Sequence, residues 1–314
     1  MASSDRLKIR HLHALVAIAE HGTLVRAADA LSVTQPAVSK TLAELENIVE
    51  QRLFDRTPRG LKLTPAGRTL LRYAGSSLRT IREGLDSIAL EGAGDAPAVL
   101  IGALPNVAAT VLPPALLRFA ADFPRARVTV RTGSNMQLIA GLHQGSLDLV
   151  IGRLAEPSAM QGLNFEQLYT EPLVLAVRPG HPLARRRRIA SELLLRHRLV
   201  LPDAGTRIRE AADRFFLAGG MGLPRELIET IDVSFGRSYV LQSDAIWCVP
   251  LGVVENDLLQ GALVRLPVDT QITEGPVGLT QRVDREPSAA LATLVEQVRQ
   301  SALQRLHLQT QRAG

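Results

Sequence analysis

Apolar residues recur at helical spacing three times before any strand-like run occurs in the chain. Leu12, Leu15, Val16 and Ala19 share one face of "RHLHALVAIAEHG", and Gly22 stands where a C-terminal cap belongs. Thr23 is placed to cap a second helix, "LVRAADALS", whose Ala27 and Ala28 allow close helix approach. After a turn at Ser32 and Val33, a third helix capped by Thr34 carries Val38, Leu42 and Leu45 at i, i+4 and i+7. Pro36 falls in its first turn, where a missing N–H costs nothing. "RLFDRTPRGLKLTPAG" then reads as two short strands around a Pro58-Arg59-Gly60 tip. From Pro65 to about Ala89, Leu70, Leu71, Ala74, Leu78, Ile81, Leu85 and Ile88 repeat at helical and near-heptad spacing. A helix this long and one-sided needs a partner, which points to self-association. "EGAGDAP", residues 91–97, is a linker of small and turn-forming residues.

Beyond the linker the pattern changes. "AVLIGAL", "RVTVR" and "LDLVIG" alternate with helical segments, the signature of a parallel α/β sheet. A second set follows, with "PLVLAVRPG", "HRLVLP", "TIDVSF", "AIWCVPLGVVENDLLQG" and "ALVRLP". "GPVGLTQRV" supplies a last strand, and a helix from about Glu286 to His307 closes the chain.

Composition narrows the picture. A chain of 314 residues exceeds one ordinary core, and 46% apolar with 21% charged residues describes a soluble globular protein. The opening, "MASSDRLKIRHLHALVAIAEHG", is interrupted by His11, His13, Glu20 and His21, so neither a signal peptide nor a membrane span is expected and the cytoplasm is the expected location. Cys248 is the single cysteine, which removes disulfide frameworks and multi-cysteine metal sites; within "AIWCVP" it reads as a buried small hydrophobe. His11 and His13 point two ways from one helix, so no metal is expected there, and no cofactor motif occurs. Arg185 to Arg188 reads as a solvated loop. Net charge is +5, and the stretch from Arg52 to Arg72 alone holds six basic residues (Arg52, Arg56, Arg59, Lys62, Arg68, Arg72) against Asp55. That local surplus favours a polyanionic partner.

The third helix carries the chemistry. Gln35 with Ser39, and Pro36 with Lys40, share a face away from the apolar stripe. A solvated face usually carries Glu and Lys; this one suits the major groove, which admits a helix. Gln35 can pair with adenine edges, Lys40 with guanine or phosphate, Ser39 with either, and Thr34 with the N-terminal amides can take a phosphate. Pro36 can meet a thymine methyl, and Arg56, Arg59 and Lys62 can reach the flanking backbone or minor groove. The competing reading is a small three-helix packing module.

Residues 7 to about 64 resemble the winged helix-turn-helix of LysR-type transcriptional regulators, through "LVAIAEHGTLVRAADALSVTQPAVSKTLAELE" and "LFDRTPRGLKLTPAG". The resemblance implies an N-terminal all-α winged helix-turn-helix at 7–64, with the helix-turn-helix at about 24–43. A linker and dimerisation helix follows at 65–92, then a C-terminal α/β, two-lobed, periplasmic-binding-protein-like effector domain at 93–308. Lobe I takes about 98–168 and 272–308, and lobe II about 169–271. The implied partners are double-stranded promoter DNA bent across two sites, a small-molecule effector, a second copy in a homodimer or homotetramer, and RNA polymerase, with no membrane.

In an α/β crevice, ligands meet strand carboxyl ends and helix N-termini. Four loops meet that condition: Pro105 and Asn106 in "LPNVA", Ser134 and Asn135 in "GSN", Thr206 and Arg207 in "PDAGTRIRE", and Ser234 and Phe235 in "SFGRS". Each hydroxyl can equally be an ordinary helix cap. "PDAGTRIREAADRFF", "RSYVLQSDAIWCVPLGVV" and "GPVGLTQR" are similar to the branch with the protocatechuate-pathway and galactose-binding-protein regulators. That branch implies an aromatic-catabolism carboxylate or a sugar as effector, and Arg207, Arg209 and Arg237 near the crevice favour an anion. Two functions of other classes compete. A solute-binding transport protein predicts a secretory signal and no basic helix-turn-helix. An enzyme predicts a nucleophile–base or metal constellation, which is not found.

Overall fold

The computed structural model describes residues 6–58, 60–89, 97–224 and 226–313. The chain groups into two units, residues 1–96 with 140–148, and residues 97–139 with 149–314.

The first unit holds α1 (Ile9–His21), α2 (Leu24–Ala30), α3 (Gln35–Val49), the hairpin β1 (Phe54–Thr57) and β2 (Gly60–Leu63), and α4 (Pro65–Ala89). Gly22 ends α1 in the left-handed conformation at φ 72°, its N–H donating to Ile18 O, and the Thr23 hydroxyl caps α2 by accepting from Arg26 N. Leu15, Ile18, Ala27, Val38, Leu45, Leu53 and Phe54 form the core, joined by Leu71 and Ala74 from the start of α4. Ile81, further along α4, is exposed. The linker residues 90–96 and Arg59 lie outside the described residues.

Two backbone contacts aim the hairpin. Glu46 Oε1, on α3, accepts from Leu53 N at 2.7 Å and from Phe54 N at 3.3 Å. Gly60 adopts φ 129°, and the next residue donates its N–H to Gly22 O at 2.8 Å. A Cβ at Gly60 would stand 2.5 Å from that same oxygen, so only glycine lets the wing seat against the end of α1.

The second unit is built on two five-stranded sheets. The first, in the order β4-β3-β5-β12-β6, uses β3 (Ala98–Ala103), β4 (Arg127–Thr132), β5 (Leu149–Arg153), β6 (Leu163–Glu171) and β12 (Gly275–Arg282). The second, in the order β11-β7-β10-β8-β9, uses β7 (Leu173–Val177), β8 (Leu199–Leu201), β9 (Leu227–Glu229), β10 (Ile246–Pro250) and β11 (Val264–Arg265). The helices are α5 (Pro105–Ala109), α6 (Leu112–Asp122), α7 (Asn135–His143), α8 (Ser191–Leu194), α9 (Arg207–Ala218), α10 (Val233–Leu241), α11 (Leu251–Leu259) and α12 (Ala289–Ala313). The run "LVLAV" of β7 is apolar at every position because both faces are covered. Leu173, Leu175 and Val177 join one core, and Val174 and Ala176 join the other.

The sheets are mixed, which corrects the expectation of parallel ones. In each, four strands run one way and a single reversed strand, β12 in the first sheet and β7 in the second, pairs antiparallel with both of its neighbours. The cause is the chain path. It leaves the first sheet at Pro172 and returns after β11, and the returning β12 runs between β5 and β6. Thr273 ties the two crossing segments together, its Oγ1 accepting from Leu173 N at 2.8 Å and donating to Thr270 O at 2.6 Å. A second correction concerns "TIDVSF". The strand ends at Glu229, Asp232 caps α10 by accepting from Phe235 N, and Val233 onward is helix.

Candidate DNA-reading helix and ligand cleft

On α3, Val38, Leu42 and Leu45 are buried, while Thr34, Gln35, Pro36 and Lys40 are exposed and Ser39 is half-buried. Thr34 occupies the N-cap position, yet its hydroxyl makes no capping bond, contrary to the expected cap. The hydroxyl therefore remains on the outer surface together with Gln35. Arg56 and Lys62 are exposed on the hairpin, where Asp55 stands opposite Lys62. Behind this face, the buried His11 holds Glu44 at 3.3 Å and accepts from Lys8 N at 3.1 Å. Arg10, then His11, keep the Glu44 carboxyl below the usual carboxylate range. His11 is a core residue of the helix packing, and His13 faces outward.

The second unit contains an open cleft of about 720 Å³, counted to its mouth. Lobe I lines it with Leu104, Pro105, Asn106, Gly133, Ser134, Asn135 and Arg153, at the ends of β3, β4 and β5. Lobe II contributes Pro202, Thr206, Arg207, Ile208, Thr230, Ile231, Val233, the β10 residues Trp247 to Pro250, and Val253. Six of the eight expected ligand residues therefore meet at one cleft. Ser234 and Phe235 do not: in α10 they point to solvent, and Phe235 stacks on Tyr239 at 5.8 Å between ring centroids.

Several of the six are already committed to the fold. Ser134 and Gln137 cap α7 reciprocally, the hydroxyl donating to Gln137 Oε1 at 2.9 Å. The Thr206 hydroxyl caps α9 and donates to Asp203 O at 2.7 Å. Asn106 is buried and donates Nδ2 to Glu171 Oε2 at 2.5 Å. Arg207 is ion-paired with Glu156 at the cleft rim. The expectation that Arg209 and Arg237 supply charge to the crevice is corrected. Arg209 is bound by Asp213 and Glu229, Arg237 is bidentate on Asp257, and neither lines the cleft.

Arg153 was not anticipated. It ends β5 with 6% of its surface exposed and donates Nη2 to Glu171 O at 2.9 Å. Burial, with the Arg207 charge acting in the same direction, pulls its pKa below the ordinary arginine value. Its signal in the sequence is position, since an arginine at the carboxyl end of the apolar run "LVIGR" faces the crevice by the same rule that selected the loops. Behind it, Glu171 is 1% exposed and accepts from Gly252 N at 3.0 Å and Arg305 Nη2 at 2.8 Å, while Arg305 also holds Glu255 at 3.0 Å. This network joins β6 and α12 of lobe I to α11 of lobe II. Nothing in local pattern points to it, because its members are 50 or more residues apart except for Gly252 and Glu255.

Cys248 is buried in the cleft wall and burial pushes its thiol up to about 12, so it stays protonated and packs as a small hydrophobe. Arg185 to Arg188 are exposed and make no ion pair among the described residues. Among the described residues no group of three His, Cys, Asp or Glu is placed to hold a metal ion, and no helix is long and apolar enough to cross a membrane.

Residues 9–68 match the model of the bacterial regulatory helix-turn-helix protein, lysR family, and residues 92–303 match that of the LysR substrate binding domain. The chain is 39% identical over 298 residues to the HTH-type transcriptional regulator PcaQ of Agrobacterium fabrum, covering 95% of this chain and 96% of that protein. It is 38% identical over 298 residues to the uncharacterized HTH-type transcriptional regulator YdcI of Escherichia coli, covering 95% and 97%. A full-length OxyR variant from Pseudomonas aeruginosa shares the fold, with a TM-score of 0.60 at 22% identity over 93% of this chain and 97% of that one. The reading helix, the ligand cleft and both matched models fall in the same order along one chain, which belongs to the LysR family of transcription regulators and joins a DNA-binding helix-turn-helix to an effector-binding domain.

Proposed function

We propose that this regulator reads promoter DNA through Thr34, Gln35, Pro36, Ser39 and Lys40, with Arg56, Arg59 and Lys62 on the flanking backbone, and that its effector is a small carboxylate from aromatic catabolism. The domain limits proposed with it are 7–64, 65–92 and 93–308, and the protein acts in the cytoplasm as a homodimer or homotetramer, without enzymatic activity.

The observation that carries the effector class is the buried, partly desolvated Arg153 in a cleft that also presents apolar wall from Leu104, Ile231, Trp247, Val249 and Val253. An anion there restores the electrostatic stabilisation that burial removes from the guanidinium, and an apolar wall suits a ring. The relative named PcaQ supports an aromatic-pathway assignment by kinship, and the basic surplus from Arg52 to Arg72 supports the DNA reading.

The test exploits Trp247, the only tryptophan of the chain, in the cleft wall. Titrating the protein with protocatechuate, its ring-cleavage acids and galactose should change Trp247 fluorescence with the acids alone, and Arg153→Met should remove the response. Saturable binding of galactose with no response to any acid would refute the effector class. Sequence-specific retention of upstream promoter fragments in a gel shift that survives Gln35→Ala with Lys40→Ala would refute the reading face.

A further inference from the structure

Both asparagines on the lobe I wall of the cleft are oriented by partners that can only accept. Asn106 Nδ2 lies 2.5 Å from Glu171 Oε2, and Asn135 Nδ2 lies 2.9 Å from the Arg153 carbonyl. A carboxylate and a backbone carbonyl carry no hydrogen, so turning either amide over would set oxygen against oxygen. Glu171 is held in place in turn, by Gly252 N at 3.0 Å and Arg305 Nη2 at 2.8 Å. Each amide therefore keeps its Oδ1, and the second hydrogen of its Nδ2, for another partner. No described residue donates to either oxygen; that of Asn135 is fully buried against Gly152, which leaves the Asn106 Oδ1 as the acceptor open to the cleft.

We infer that the effector carries a hydrogen-bond donor, a hydroxyl on its ring or chain, directed at the Asn106 Oδ1 in addition to its carboxylate. The inference rests on the carboxylate reading of the cleft and deepens it. The Arg153 guanidinium sets the ligand's charge, and the pinned Asn106 amide chooses among acids. A hydroxyl can donate to Oδ1 while accepting from the second Nδ2 hydrogen, whereas an ether oxygen can only accept and leaves Oδ1 unpaired, and an apolar group leaves both unpaired out of water. A serine or threonine hydroxyl at position 106 would rotate to donate or accept and would make no such choice.

The experiment titrates the full-length protein by calorimetry and Trp247 fluorescence with benzoate, 3-hydroxybenzoate, 3,4-dihydroxybenzoate and 3-methoxybenzoate, and with the aliphatic pair succinate and malate. The hydroxylated member of the recognised series should bind roughly tenfold or more tighter than its parent acid, with the methyl ether below the hydroxyl compound. Asn106→Ser should shrink the gap between hydroxyl and methyl ether, with thermal unfolding confirming that the variant is folded. Equal affinity for parent, hydroxyl and methoxy acids overturns the inference and leaves the carboxylate reading standing. Failure of every acid, with 3-hydroxybenzyl alcohol or galactose binding instead, overturns both.

Discussion

Arg305→Met isolates the buried carboxylate at the junction of the lobes. Glu171 is 1% exposed and ion-paired with Arg305 at 2.8 Å, with Glu255 on the other side of the guanidinium at 3.0 Å. Removing one member of a buried ion pair costs about 3–5 kcal/mol, because the stranded charge stays out of water. Gly252 N and Asn106 Nδ2 still donate to Glu171, which places the expected cost near the lower end, about 3 kcal/mol. In a unit of roughly 150–250 residues each kcal/mol moves the midpoint by about 2–4 °C, so the effector-domain transition should fall by about 6–12 °C. Differential scanning calorimetry of the full chain reads this directly. Arg305→Met combined with Glu171→Gln removes the stranded charge and should cost clearly less than the sum of the two single changes. A fall under about 2 °C for Arg305→Met, or strict additivity in the double variant, would show that the pair is not what holds this junction.

Gln35→Ala should weaken binding to the cognate promoter by about 1–3 kcal/mol and relax specificity at one base pair, measured by gel shift against single-base operator variants. Lys62→Ala should instead lower affinity for all sequences and flatten the dependence on salt by about one counterion, read from binding at several salt concentrations. Gly60→Ala places a methyl 2.5 Å from Gly22 O in a strained backbone and should lower DNA affinity with only a modest change in the effector-domain melt. Stability should also depend on pH. Burial holds the His181 pKa below the ordinary 6.5, while its ring bonds Asp244 O and lies 4.5 Å from His197. The folded state thus prefers the neutral ring, and the unfolded chain binds the extra proton more readily. This contribution to stability is intact above about pH 6.5 and is lost as pH falls through the lower folded value. Thermal midpoints measured from about pH 7.5 down to the acid limit should drop, and His181→Gln should remove that part of the drop; an unchanged pH profile would refute the assignment.

Much of the first unit was legible in the chain because its signals are local. Gly22, Thr23 and Pro36 act within one helical turn, and the stripe of Val38, Leu42 and Leu45 names its own buried face. The polar face of α3 followed as the remainder. The strands and loops of the second unit were legible in the same way, and the carboxyl-end rule brought six of eight proposed ligand residues to one cleft. It failed at "VSF", where the Asp232 cap turns Ser234 and Phe235 into a helix pointing to solvent.

Other features waited on packing. Strand direction did, since the antiparallel entry of β12 depends on a chain that leaves the lobe at Pro172 and returns 100 residues later. So did the state of each charge. From sequence Arg207, Arg209 and Arg237 look alike, yet long-range ion pairs engage all three, while Arg153, in the cleft lining, bonds the Glu171 carbonyl and no carboxylate. The amide of Asn106 was equally undetermined until Glu171, 65 positions away, fixed which atom it offers. Short-range hydrogen bonds and helical periodicity are encoded within a few residues, whereas electrostatic pairing and desolvation depend on which distant groups the fold brings within about 3 Å.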